Sequence, residues 1–300
     1  MLLNQILVTI LDSANFAVVV LAVAWVFRVV RFPDLSGDGT FVLGAFISAK
    51  LATSTLLPLG HSTAIIVAIV CGGVCGAICA ILNTRVKIPN LLCGILMATA
   101  LYSMNLTFLG RPNSDVASSR TIFASIFALA PIWRHISLIV TMLILFSLLA
   151  YILIIFMQTG VGIRMRAAVA NPDAGARFGV NHELSLIIGL AIANAITALA
   201  GALFAQRAGF VSIEIGYGIV LQALAAVLLG EAVWSRRYTI FSLVVTSFTG
   251  AIIYKTALAI TLRMGLNPYY QNLITVIIVV LSLMTLSSQP GDRLEVDVKV

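Results

Sequence analysis

Eleven acidic residues, eighteen basic residues, three histidines and four cysteines are all that 300 residues offer for side-chain chemistry. Cys71, Cys75 and Cys79 recur every fourth residue and so share one helix face, with Cys93 apart. Such a stripe reads either as a soft-metal or redox site or as small apolar side chains in a packed helix. Gly72, Gly73 and Gly76 on the same stretch let another helix approach closely. His61, His135 and His182 are scattered and do not cluster with carboxylates or thiols, as a metal or nucleophile site would require. No G-x-x-x-x-G-K-[ST] loop occurs, so hydrolysis of ATP by this chain alone is not expected. The expectation is a non-catalytic chain with no metal and no cofactor of its own.

A second group of residues suits the passage of a polar solute through an apolar medium. In FPDLSGDG, Pro33, Gly37 and Gly39 break helix, and Asp34 and Asp38 bring two carboxylates to the break. Broken helix inside a bilayer requires protein or a water-filled cavity around the freed backbone. The same eight residues also read as a polar turn at the cytoplasmic surface, with the acids balancing Arg28 and Arg31. A second break follows Glu214 at Gly216-x-Gly218, five spans later. An odd number of spans reverses orientation, so the two breaks would enter from opposite faces as an inverted repeat. Lys50 and Asp12 fall at matching depths, about 12 and 10 Å into the second and first spans. Burying such charges costs about 2.5–3.5 kcal/mol each, so they form a structural pair, or Lys50 meets a solute carboxylate. Lys255, near a span end, is expected to snorkel, and Glu231 to pair with Arg236 or Arg237. Tyr102, Asn105, Asn194 and Gln222, with Asn15, line a pathway or hydrogen-bond between helices.

The third group is GVGIRMRAAVANPDAGARFGVN, residues 160–181, a polar and basic island. Asn171 suits an N-cap, Pro172 the first helical position, Asp173 the positive end of the dipole and Gly179 a left-handed C-cap. A two-turn helix results, with Asp173 and Arg177 paired at i, i+4 and Ala174 and Phe178 on another side. Arg164 and Arg166 precede it. The element either lies on anionic headgroups or docks a cytoplasmic partner, with Phe178 as anchor and arginines at the rim.

The elements that carry these residues follow from composition. A chain that is 61% hydrophobic and 10% charged, with mean hydropathy +1.10, is an all-α polytopic membrane protein. A bilayer core of about 30 Å needs roughly 20 apolar residues per helix. Nine runs qualify, near 5–27, 41–58, 62–82, 90–109, 136–157, 184–206, 217–233, 239–260 and 269–287. If 217–233 re-enters rather than crosses, eight helices span, so the fold is eight to nine transmembrane helices with two broken or re-entrant segments. They form a single transmembrane domain over 1–300. Long continuous runs exclude a β-barrel, and the first lacks the basic start and cleavage site of a signal peptide. Basic residues alternate between loops, with Arg28, Arg31, Arg85, Lys87, Arg164, Arg166, Arg177, Arg236, Arg237, Arg293 and Lys299 on one side. That side is the cytoplasm, placing the N-terminus outside and the C-terminus inside, although Arg111, Arg120 and Arg134 fall in the long outer loop. The net charge of +7 is topology and lipid contact; no basic run is dense enough for nucleic acid.

The island's order of Gly, Arg, Met, Arg, Ala, then Asn-Pro, Ala and Gly-Val-Asn resembles the permease subunits of ABC importers of the branched-chain amino acid and sugar type. RFPDLSGDGTFVLGAF, KIPNLLCGILMATALYSMNLTFLGRPN and ALAAVLLGEAVW extend the resemblance over most of the chain, nearest to a subgroup associated with tryptophan and tyrosine. Asp34 and Asp38 depart from it, since many relatives have an Asn, His or Glu arrangement there. The resemblance implies alternating access driven by a separate ATPase subunit that carries ATP and Mg²⁺. It further implies a homodimer of permeases, an extracytoplasmic binding protein delivering a small solute, and residence in the bacterial inner membrane. Residues 160–181 would be the coupling helix, involving Arg164, Arg166, Asn171, Pro172, Asp173, Ala174, Arg177, Phe178 and Gly179. An ion-coupled secondary transporter using Lys50, Asp12, Asp34 and Asp38 is the alternative.

Overall fold

A computed structural model describes residues 2–53, 61–110, 112–115, 121–123, 126, 129–177, 179–234, 240–265, 267 and 270–287. Eleven α-helices dominate it: α1 Leu2–Ala24, α2 Gly37–Thr53, α3 His61–Thr84, α4 Asn90–Leu109, α5 Pro131–Gln158, α6 Gly160–Ala170, α7 Pro172–Arg177, α8 His182–Ala208, α9 Ile219–Trp234, α10 Ile240–Arg263 and α11 Gln271–Ser287. Two short strands, β1 Asn113–Asp115 and β2 Phe210–Ser212, pair antiparallel with Ser114 opposite Val211.

Seven stretches among the described residues are long and apolar enough to cross a bilayer, where nine were expected. The expected second span, 41–58, is instead the 17-residue α2, which starts at Gly37. Those 17 residues rise about 26 Å, and residues 54–60 after them lie outside the described residues. The expected ninth, 269–287, is the equally short α11. The run at 217–233 counts as a crossing only with the 3₁₀ turn Ile213–Gly216 that precedes α9, together spanning Ile213–Trp234.

The described chain gathers into two compact units, each discontinuous in sequence: residues 1–24, 135–157 and 220–300, and residues 25–134 and 158–219. In the first unit, α1 packs on α10, where the Phe16 and Tyr254 rings stack at 5.5 Å. Lys255, expected to snorkel, holds its ammonium 4.2 Å from the Phe16 centroid. Gly230 on α9 and Gly250 on α10 fit together: a Cβ on either would lie about 2 Å from a carbonyl of the other helix, Thr246 or Ala226.

The second unit is built on α2, α3 and α8. Glycine lets their backbones nearly touch. A Cβ at Gly44 would lie 2.0 Å from the Ala198 oxygen, at Gly201 1.9 Å from that of Phe41, and at Gly76 2.2 Å from that of Leu190. The small-residue face of α3 therefore meets α8, and a helix pair this close gains dispersion contact along its length. At one end of the pair Arg85 and Glu183 form an ion pair of 2.6 Å. This brings the loop after α3 and the loop before α8, two of the basic loops, to one side.

Candidate functional site

The break at residues 30–36 is the best-defined polar feature of the second unit. A π-helical turn, Trp25–Val29, continues from α1, and Val30 N donates to Trp25 O across five residues. Arg31 then takes φ +52°, and Pro33 cannot donate to a continuing helix. The surface-turn reading of FPDLSGDG fails here, because Asp34 is 4% exposed and Ser36 fully buried. Asp34 accepts from Ser36 N, Ser36 Oγ and Asn194 Nδ2, each at 2.8 Å, and from the Cys79 thiol at 3.9 Å. Asn194 Oδ1 in turn accepts from Thr40 Oγ1 at 2.7 Å and lies 3.1 Å from Ser36 Oγ, whose one proton goes to Asp34. All four groups that reach Asp34 are donors, the arrangement an ionised carboxylate needs. From the Arg85–Glu183 end the helical rise is about 9 Å to Cys79 and about 16 Å to Asn194, so this knot lies well inside the bundle. The sequence offered no sign that Cys79 would face a carboxylate.

The two breaks meet. Asp38, in the first turn of α2, accepts from Gly218 N at 3.1 Å through Oδ2. A Cβ on Gly216 would lie 2.3 Å from the Asp38 carbonyl oxygen, so glycine is required for this approach. Gly218 itself has φ +72°, which a side chain would strain. Asn105 on α4 donates through Nδ2 to Gly39 O at 3.1 Å. Asp34, Asp38, Asn105 and Asn194 thus converge on the start of α2.

The other expected pathway residues do not join them. Tyr102 is 55% exposed on α4. Gln222 accepts from Gln271 Nε2 at 3.2 Å within the first unit. Lys50 is exposed and lies three residues before Thr53, where the described part of α2 ends. Its ammonium donates to Phe108 O and lies 4.2 Å from the Phe108 ring centroid. Asp12 belongs to the other unit. Glu231 is 8% exposed, and its expected partners Arg236 and Arg237 lie outside the described residues.

The island is helical over more of its length than its composition suggested. Thr159 Oγ1 accepts from Gly162 N and starts α6, which ends where Asn171 turns to an extended conformation. Asn171 O then accepts from Gly175 N at 2.9 Å, the first bond of α7. One asparagine closes α6 and opens α7. Gly179 takes φ +72°, and Val180 N returns to Gly175 O at 2.9 Å, as a left-handed C-cap requires. Gly175 rests on α6, where a Cβ would come 3.0 Å from the Ala168 Cα. His182 Nδ1 meets Ala168 O at 3.1 Å, joining α6 to the start of α8. Arg164 and Arg177 are exposed and Arg166 half-buried. Phe178 and the side chains of Pro172, Asp173 and Ala174 lie outside the described residues, and with them the expected Asp173–Arg177 pair.

At the opposite end of α8, β1 and β2 border a cavity of about 500 Å³ lined by Asn113, Asp115, Phe210, Ser212 and Glu214. Gln206, fully buried, braces this end by donating to Ser48 Oγ at 2.9 Å and accepting from Ile122 N at 3.0 Å. Sequence reading had passed over both partners.

A set of apolar helices long enough to cross a bilayer agrees with the sequence comparison. Residues 5–283 match the family described as the permease component of branched-chain amino acid transport systems. The chain belongs to this family. Over 283 residues the permease is 29% identical to the tyrosine transport system permease protein of Clostridioides difficile (strain R20291), covering 94% of this chain and 92% of the relative. It is 31% identical over 289 residues to an uncharacterized protein of Rickettsia prowazekii (strain Madrid E), covering 95% and 99%. A shorter match, 31% over 126 residues, covers 42% of this chain and 36% of the galactose/methyl galactoside import permease protein MglC of Salmonella typhimurium. No solved structure matches it. The permease is therefore a non-catalytic, multi-pass subunit of an inner-membrane ABC importer of small solutes, working with a separate ATPase. Family membership sets aside the ion-coupled alternative.

Proposed function

We propose that residues 160–181 are the coupling element of this permease and that they seat in the ATPase subunit on the cytoplasmic side. The observation that carries this reading is the pair α6 and α7, hinged at Asn171 and braced by Gly175 on Ala168 and by His182 on Ala168 O. A rigid, capped protrusion transmits displacement, whereas a flexible loop absorbs it. Phe178 anchors it, and Arg164, Arg166 and Arg177 rim the contact. The N-terminus is then outside and the C-terminus cytoplasmic. The acidic cavity at the far end of α8 faces outward, toward an extracytoplasmic binding protein. Residues 1–300 act as one permease domain, and two copies form the pathway. Asp34, Asp38, Asn105 and Asn194 border that pathway.

The solute is an amino acid, with an aromatic side chain favoured by the likeness to the tyrosine transport system permease protein. Nucleotide-driven closure of the ATPase pushes α7 and moves the bundle between outward-open and inward-open states. Affinity purification of the tagged permease from its native membrane in mild detergent tests the docking. A stoichiometric ATPase subunit co-elutes with the wild type and is lost from Phe178→Asp. Undiminished co-elution with Phe178→Asp would refute the assignment.

A further inference from the structure

The cavity beside β1 and β2 joins an aromatic ring to two carboxylates. Alternation along the strands sorts their side chains: Val211 turns inward and is fully buried in a cluster with Phe46 and Ala205, while Asn113, Asp115 and Phe210 are exposed on the other face. Asp115 stands directly across from Phe210. Glu214, also on the cavity, comes two residues after Ser212, whose Oγ accepts from Glu214 N at 3.3 Å. The wall is fixed in place. Phe210 meets Phe204 edge-on at 5.9 Å, and Ile213 N donates to Pro112 O at 3.0 Å. Both carboxylates are exposed and have no hydrogen-bond or ion-pair partner among the described residues, and no basic residue is among the cavity's described lining. Arg207, at the end of α8, stacks instead on Phe204, 5.7 Å from its centroid.

An exposed ring beside two carboxylates suits an organic cation, whose charge pairs with the acids while its flat or methylene part lies on the ring. A divalent metal fits poorly. It asks for six or more oxygens, and no group of three metal-ligating side chains occurs among the described residues. Magnitude separates a free amine from a side chain. On an exposed surface an ion pair or a cation–π contact is worth no more than about fivefold in affinity, too little to hold a small solute. A cation carried by a folded partner adds the same contacts to a larger interface. We infer that this cavity seats a lysine or arginine side chain of the extracytoplasmic binding protein, with Asp115 and Glu214 as counter-ions and Phe210 as the floor. Given the outward orientation proposed for this end of α8, on which it rests, the contact fixes the register of docking, because opposite charges orient an encounter more than they tighten it.

Site-directed crosslinking tests this in spheroplasts that hold the full permease–ATPase complex and receive the extracytoplasmic fraction at limiting concentration. The photo-reactive residue p-benzoylphenylalanine is placed at Asn113, which leaves Asp115, Phe210 and Glu214 intact, and the attached peptide is identified by mass spectrometry. The expected product is a binding protein attached within a few residues of a lysine or arginine. Asp115→Asn with Glu214→Gln is expected to lower the yield about tenfold and Phe210→Leu about threefold, with ATPase co-elution reporting that each variant assembles. Tyr217, 77% exposed and three residues past Glu214, carries the same probe if the Asn113 replacement does not assemble. Attachment to a lipid headgroup, to a second copy of this chain or to a peptide without a basic residue, no attachment, or a yield that either variant leaves unchanged would overturn the site. Attachment to the ATPase or to another cytoplasmic protein would overturn the orientation itself, and none of the other outcomes does so.

Discussion

Asp34 shows how a carboxylate can be kept inside a membrane bundle without a cation. Its donors are a backbone N–H, a hydroxyl, an amide and a thiol, and each replaces part of the hydration an ion would lose. Asp34→Asn, usually a mild change, is not mild here. The Ser36 hydroxyl can turn to accept, but Asn194 Nδ2 is fixed by a second bond to Leu190 O at 3.2 Å, leaving N–H against N–H. The variant should lose about 1–3 kcal/mol, read as a lower unfolding midpoint in detergent. An unchanged midpoint would contradict the four-donor arrangement around Asp34. The sequence placed Asp34 at a helix break because Pro33 and Gly37 are local signals. It was silent on Asn194, Ser36 and Cys79 as partners, because Asp34 and Asn194 stand 160 residues apart and pairing at that distance is set by the fold.

At the scale of elements, glycine decides which helices touch. Gly76→Ala puts a methyl 2.2 Å from the Leu190 oxygen on α8, and backbone cannot yield as a side chain does. The expected loss is about 1–3 kcal/mol from overpacking, against roughly 1 kcal/mol returned by helix propensity. Gly160→Ala meets nothing within 4 Å and should leave the midpoint unchanged or raise it. Equal behaviour of the two variants would contradict the α3–α8 contact. The close face of α3 was legible from Gly72 and Gly76, and α7 from Asn171, Pro172 and Gly179, since both depend on nearest neighbours. The helicity of α6 was not, because GVGIRMRAAVA carries two glycines and a weak apolar pattern, and its start rests on the single Thr159 cap.

For the whole molecule, the structure separates two ends of one long helix. α8 begins beside α6 and α7 and finishes at β2 and the acidic cavity, while Asn194 near its middle binds the break that starts α2. On the proposed coupling, a push on α7 would reach the Asp34 knot along α8, and from the knot the contact of Asp38 and Gly218. Composition and span length were enough to read a polytopic bundle, and the motif order enough to read the family. The joining of the two breaks was not readable, since Asp38 and Gly218 are 180 residues apart.

The most direct measurement is the modification rate of Asn105→Cys by aminoethyl methanethiosulfonate in the reconstituted complex, with and without ATP, in wild-type and Phe178→Asp backgrounds. The account predicts that ATP changes the rate several-fold and that Phe178→Asp removes the change. A rate indifferent to ATP, while the bound ATPase hydrolyses it, would contradict transmission from α7 to the start of α2.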